Sequence, residues 1–178
     1  DASELVVLRL SIGTTLAAVL IAAGHPERAL GVVEAIQGAV TGMFEGVADI
    51  PRALRAAAAL KAGRPEEAAS LATPGTAYNP DLPFAYSIAT LWSAPIDAAI
   101  AVGNVEQARA TADRILARAI RTGARLWQPE ARRLRAMALA AAGDLAAAVV
   151  ELDHALALAR ATGMDATAAA IERTRAEI

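Results

Sequence analysis

The stretch AAGDLAAAVVELDHALALARATG, residues 141–163, decides the fold. It opens at a turn, because Gly143 suits the left-handed conformation that ends a helix and Asp144 suits the cap of the next helix. The apolar residues that follow recur at steps of three and four, which is the spacing of one helical face. Thr162-Gly163 then marks the end of that helix. The stretch therefore predicts a helix end, a tight turn and a second helix that returns antiparallel to the first.

The same turn recurs along the whole chain. Its Gly stands at positions 24, 63, 103 and 143, so the intervals are 39, 40 and 40 residues. An Ala follows each Gly by five residues, and a residue that is small in three of the four cases precedes it by seven. These two sets are Ala29, Ala68, Ala108 and Ala148, and Ala17, Ala56, Ile96 and Ala136. Small side chains at matching positions let two helices approach closely, so the repeat has a physical basis.

The repeat predicts one all-α domain, residues 1–178, made of four helix pairs and a final helix. The units cover residues 3–42, 47–75, 83–123 and 126–163, and the C-terminal helix covers 164–177. The second unit is irregular, because Pro74-Gly75 cuts its second helix short. Pro95 lies inside the helix that follows and is expected to kink it.

The composition agrees with closely packed helices. Hydrophobic residues make up 56% of the chain and aromatic residues only 3%, whereas a β-sandwich or barrel needs more β-branched and aromatic residues. The chain has no cysteine, which excludes a disulfide framework, a thiolate metal site and a Cys nucleophile, and agrees with a reducing cytosol. The apolar stretch from Leu10 to His25 is shorter than the roughly 20 residues of a membrane span, so a buried repeat helix is expected there.

A Gly turn with an Ala five residues later resembles the tetratricopeptide repeat (TPR). Trp92, eleven residues before Gly103, stands at the aromatic position of that repeat, where the other units have Gly13, Arg52 and Arg132. The longer period and the Ala-, Leu- and Arg-rich composition resemble the helical-repeat arms of large ATP-dependent LuxR-type transcriptional regulators of high-GC bacteria. This resemblance implies a right-handed α-solenoid, cytoplasmic and part of a larger bacterial regulator of transcription.

In a TPR array the first helices line a concave groove, which commonly receives a peptide or a partner helix. The register predicts that Thr14, Lys61, Ser93, Asp97, Arg133 and Met137 point into this groove. Four of these, together with two residues of the aromatic group, are the candidate binding residues. These candidates are Lys61, Tyr86, Trp92, Asp97, Arg133 and Met137. The expected partner is a protein or peptide, or a flanking domain of the same chain. An alternative is a small-molecule effector held near the aromatic loop, where Tyr78 and Phe84 precede Tyr86 and Trp92.

Arginine is concentrated in one segment. Residues 104–143 contain eight Arg against three acidic residues, a local excess of +5 in a chain whose net charge is −2. Arg114, Arg118, Arg121 and Arg125 step by four, three and four, so they share one face if the helix persists through Gly123. Such a basic face binds phosphates or an acidic partner. A nucleic-acid binder is therefore the alternative function. A solvated outer face explains the same pattern.

The sequence contains no catalytic constellation. His25 and His154 are the only histidines, neither has the spacing of a metal ligand, and no Gly-rich phosphate loop occurs. We therefore expect a non-catalytic interaction module without a cofactor or a metal. The apolar first helix, Leu5 to Ile21, predicts that a preceding repeat or a second copy of the chain, as a homodimer, packs against it.

Overall fold

The structure is a computed structural model that describes residues 2–40, 49–72 and 88–178. All regular structure in these ranges is helical, which confirms the all-α prediction. The helices are α1 (Ala2–Ala22), α2 (Pro26–Val40), α3 (Asp49–Lys61), α4 (Pro65–Leu71), α5 (Ile88–Ala101), α6 (Val105–Arg121), α7 (Gln128–Ala141), α8 (Leu145–Ala161) and α9 (Asp165–Glu177).

The contacts divide the chain into two compact units, Asp1–Val102 and Gly103–Ile178. In the amino-terminal unit, α3 packs against α1, α2, α4 and α5, while α1 also packs on α2 and α4 on α5. In the carboxyl-terminal unit, α7 packs against α6, α8 and α9, and α8 also packs on α9. Each unit is thus built from helices that are neighbours in sequence, with further contacts between alternate helices.

The helix ends follow the chemistry expected from the sequence. All four repeated Gly residues have positive φ, from +72° at Gly63 to +83° at Gly143. At Gly24 the amide donates to the carbonyl of Ile21, and the next amide, of His25, donates to Leu20. This pair of bonds satisfies carbonyls that the helix end would leave without a partner. Equivalent pairs close the helix ends at Gly63, Gly123, Gly143 and Gly163.

The starts of the second helices are also confirmed. The Asn104 side chain accepts a hydrogen bond from the Gln107 amide, and the Asp144 side chain accepts one from Ala147. Pro26 and Pro65 are the first residues of α2 and α4, where no amide hydrogen is needed. The loop after α4 lies outside the described residues, but α4 itself is short and ends at Leu71 as the interruption predicted.

The repeated small residues lie at the centre of the packing. All eight positions, five after and seven before the repeated Gly, have no solvent exposure. Gly13 shows how closely α1 and α2 approach, because a Cβ atom there would lie 2.2 Å from the Ile36 Cγ2. An aromatic side chain therefore does not fit at this position of the first unit, whereas Trp92 occupies the equivalent position of the third and is buried.

The first helix differs from the sequence-based expectation in two ways. The groove position predicted for Thr14 is wrong, because Thr14 lies on the buried face of α1 and its hydroxyl donates to the Leu10 carbonyl at 2.6 Å. Among the described residues, the window Leu5–Ala22 alone has the length and apolarity of a membrane span, and 39% of it is buried inside the protein. This window exceeds the stretch considered from sequence because Arg9 does not interrupt it. One such helix is weak evidence for a span, since core helices of soluble proteins share these properties.

Two Gly→Ala substitutions in the amino-terminal unit test the turn. Gly24→Ala should lower the free energy of unfolding by about 1 kcal/mol, because φ is +79° there and an L-residue is strained. Gly31→Ala, inside α2, should raise it by about 0.5–1 kcal/mol. No atom lies within 4 Å of an added Cβ at either position, so the pair isolates backbone conformation from packing. Urea unfolding followed by circular dichroism measures both, and equal effects would contradict the left-handed turn.

Candidate functional site

Ion pairs that run across four helices organise the carboxyl-terminal unit. Their centre is α7, which carries Glu130 and Arg133 one turn apart and therefore on one face. The Arg133 guanidinium donates two bonds to the Glu130 carboxylate, at 2.7 and 2.9 Å, and a third to the Thr174 hydroxyl of α9 at 3.1 Å. Arg133 also contacts the Met137 sulfur at 3.1 Å. This pair connects α7 to α9 through charge-assisted bonds that are mostly shielded from water.

A second group of ion pairs joins α7 to α6 and α8. Glu151 of α8 accepts from Arg132 at 2.7 Å on one carboxylate oxygen and from Arg135 at 2.5 Å on the other. Arg135 also donates to Asp113 of α6 at 2.6 Å. The hydrogen bond to Asp113 raises the pKa of Arg135 above its ordinary value, although burial acts in the opposite direction. Arg135 therefore keeps its positive charge at every physiological pH.

A cleft of about 520 Å³ opens beside this second group. Its walls combine apolar side chains with charged groups from three helices. The lining residues are Arg109, Arg135, Leu139, Asp144, Ala146, Ala147, Val150 and Glu151. Both lining carboxylates already have partners, because Asp144 caps α8 and Glu151 bridges two arginines. Arg109 is exposed at the rim and, within the described residues, pairs with no carboxylate.

The candidate groove residues fall into both units. Lys61 is exposed in the last turn of α3, Trp92 is buried in α5, and Asp97 is half-buried in the same helix. Arg133 and Met137 are in contact on α7, where Arg133 serves the internal ion pair described above. Tyr86 lies outside the described residues, as do Tyr78 and Phe84, so most of the aromatic group has no structural description. The binding roles of these residues remain predictions.

The four-arginine face requires a correction. α6 ends at Arg121, and Gly123 adopts a φ of +65°, so the helix does not persist through this Gly. Arg125 therefore lies in the turn before α7 and does not continue the row. Arg114, Arg118 and Arg121 remain on α6, on the side away from its buried residues Ala108, Ala112, Leu116 and Ala119.

The arginine excess also has a different meaning in the structure. Three of the eight arginines, Arg132, Arg133 and Arg135, pair with Glu130, Glu151 and Asp113. Glu151 lies outside residues 104–143, so its negative charge is not included in the local excess of +5. One signal was readable in the sequence, since Glu151 stands beside Leu152 at the edge of the apolar stripe of α8, where an acidic residue needs a basic partner.

With this geometry in hand, comparison with protein families, curated proteins and solved structures gives no significant match for the chain. Over the described ranges, no group of three or more His, Asp or Glu side chains is placed to hold a metal ion. The function must therefore be argued from the chain's own contacts.

Two neighbouring acids of α8 test the ion-pair group. Glu151→Gln should lower the free energy of unfolding by about 2 kcal/mol, because Arg132 and Arg135 then lose a shared and mostly buried carboxylate. Asp153→Asn is the matched control, since Asp153 pairs with Arg175 in water and should cost less than about 0.5 kcal/mol. Urea unfolding of both variants measures the two changes in the free energy of unfolding. A Glu151→Gln effect as small as that of the control would show that the bridge contributes little.

Proposed function

We propose that this chain is a non-catalytic interaction module, a TPR-like right-handed solenoid that serves as a regulatory arm in a larger cytoplasmic protein. The left-handed turns at Gly24, Gly63 and Gly143 support the array, because the helix after each turn packs on the helix before it and the repeat positions of these pairs are buried. A bacterial LuxR-type regulator of transcription is the proposed context. This context rests on the sequence resemblance alone.

The observation that carries the proposal is the cleft between α6, α7 and α8. Its apolar wall, with Leu139 and Val150, suits an aliphatic side chain, while Arg109 supplies positive charge beside it. Both lining carboxylates accept hydrogen bonds from within the protein, Asp144 from the start of α8 and Glu151 from two arginines, which supports a binding role for the cleft.

The chemistry of the cleft suits a peptide segment that has an acidic residue close to a Leu, Ile or Met. Arg135 is already committed to two carboxylates, so its charge is compensated where it lies. Arg109 is then the guanidinium that remains to receive a carboxylate from outside. The apolar side chain of the segment would lie against Leu139, Ala147 and Val150.

A peptide array probed with the purified chain tests this function. Bound peptides should be enriched in the acidic–aliphatic pattern, and Arg109→Ala should weaken binding by about 5- to 10-fold in fluorescence anisotropy, because an exposed ion pair contributes about 1 kcal/mol. Arg114→Ala is the matched control, since Arg114 is on the same helix but does not line the cleft. Equal losses in both variants would place the site elsewhere. Turnover of a peptide or nucleotide by the purified chain would overturn the non-catalytic assignment.

A nucleic-acid binder is the second candidate, and one observation favours it. Arg114, Arg118 and Arg121 follow one another at steps of four and three on α6, on the side away from its buried residues Ala108, Ala112, Leu116 and Ala119. If this face binds phosphates, the chain shifts labelled DNA or RNA at low salt, and Arg118→Ala with Arg121→Ala lowers the slope of log K against log salt by about 2. No shift at low salt removes this candidate.

A further inference from the structure

The first helix carries an aliphatic stripe that faces water in the described part of the chain. Leu5, Leu8, Ile12, Leu16 and Val19 follow one another at steps of three, four, four and three, so they lie along one face of α1. Each is about half exposed, from 46% at Leu16 to 58% at Leu5, Ile12 and Val19. The buried face of α1, with Leu10, Thr14, Ala17 and Ile21, points the other way.

At two positions of this stripe, the equivalent residues of the later repeat units are buried. Counted back from the repeated Gly, the position of Val19 is occupied by Ala58, Ala98 and Ala138 in α3, α5 and α7, and none of these has any solvent exposure. The position of Ile12 is occupied by Leu91 in α5 and Ala131 in α7, which are 4% and 0% exposed. In α1 the same positions carry Ile12 and Val19, which face water. A stripe of this kind calls for a covering partner.

We propose that a second copy of this chain covers the stripe, with the two α1 helices packed antiparallel about a two-fold axis at Ile12. The stripe is symmetric about Ile12 in sequence, because Leu8 and Leu16 lie one step of four before and after it, and Leu5 and Val19 lie one further step of three away. An antiparallel copy therefore places Leu8 against the partner's Leu16 and Leu5 against the partner's Val19, while the two Ile12 side chains meet. Such self-complementarity is what a two-fold interface requires.

Charge and the other exposed helix surfaces agree with this arrangement. Arg9 is the only charged residue from Leu5 to Ala22, and in the antiparallel pair it lies across from Thr15, so no like charges meet. Head-to-tail stacking through α9 is disfavoured, because the exposed face of α9 carries Glu172, Arg173, Arg175 and Glu177. α1 is about 30 Å long. A contact along this length is near the lower size limit of specific interfaces, so we expect a dimer with a Kd in the micromolar range.

Sedimentation equilibrium of the full chain from roughly 1 to 100 µM tests the dimer. The wild-type chain should pass from monomer to dimer in this range, and Ile12→Arg should weaken dimerisation by at least about 30-fold because two guanidinium groups then meet at the axis. Ile120→Arg is the matched control, since Ile120 is a half-exposed aliphatic residue on α6. It should dimerise like wild type. Circular dichroism verifies that each variant folds.

A charge exchange tests the orientation. Leu8→Glu alone and Leu16→Lys alone should each weaken the dimer, whereas the double variant should recover at least about 5-fold relative to either, because the substituted positions face each other only in the antiparallel pair. Failure of the double variant to recover would overturn the antiparallel arrangement. A wild-type chain that stays monomeric up to 100 µM would overturn the dimer. Co-sedimentation with phosphatidylcholine vesicles that Ile12→Arg abolishes would assign the stripe to a membrane surface and also overturn it.

Discussion

The close approach of neighbouring helices is the constraint on which the rest of the structure depends. It requires a residue with almost no side chain where two helices meet, and the chain supplies Ala at seven of the eight repeat positions, all fully buried. Once the helices lie this close, the space between them is too narrow for many aromatic rings, which accounts for the aliphatic composition. The left-handed Gly at each turn complements this contact, because it reverses the chain within a few residues.

The features readable from the sequence are the ones determined by local chemistry. Asn104 and Asp144 cap their helices because the groups they satisfy lie three residues away. The sequence does not identify Glu151 as a bridging residue, because its partners Arg132 and Arg135 lie 19 and 16 residues earlier. Arg125 does not continue the face of Arg114, Arg118 and Arg121 for a local reason, since Gly123 follows the end of α6 and takes a positive φ. A count of charges along residues 104–143 overstates the positive charge of the folded unit, because it ignores Glu151, which packs against Arg132 and Arg135.

The two units solve the problem of helix packing differently. The core of the amino-terminal unit is aliphatic, with Leu10, Val33, Ile50 and Leu54 fully or almost fully buried. In the carboxyl-terminal unit an apolar cluster is supplemented by ion pairs that join α7 to α6 and α8, and by a hydrogen bond from Arg133 to Thr174 of α9. Ion pairs of this kind contribute modest net stability. Their directional hydrogen bonds also hold the guanidinium groups in one orientation. The guanidinium group of Arg135 is therefore held in place beside the cleft by Asp113 and Glu151.

The stripe on α1 and the cleft beside α8 lie in different units and depend on different chemistry, so the two proposed interactions are separable. Burial of the stripe would be almost purely hydrophobic, insensitive to salt and strengthened on moderate warming. Binding at the cleft would depend partly on Arg109 and would weaken as salt screens its charge. Ionic strength thus discriminates between them without any mutation. Dimerisation that persists at about 1 M salt while peptide binding declines is the expected pattern, and loss of dimerisation at this salt concentration would contradict a hydrophobic interface.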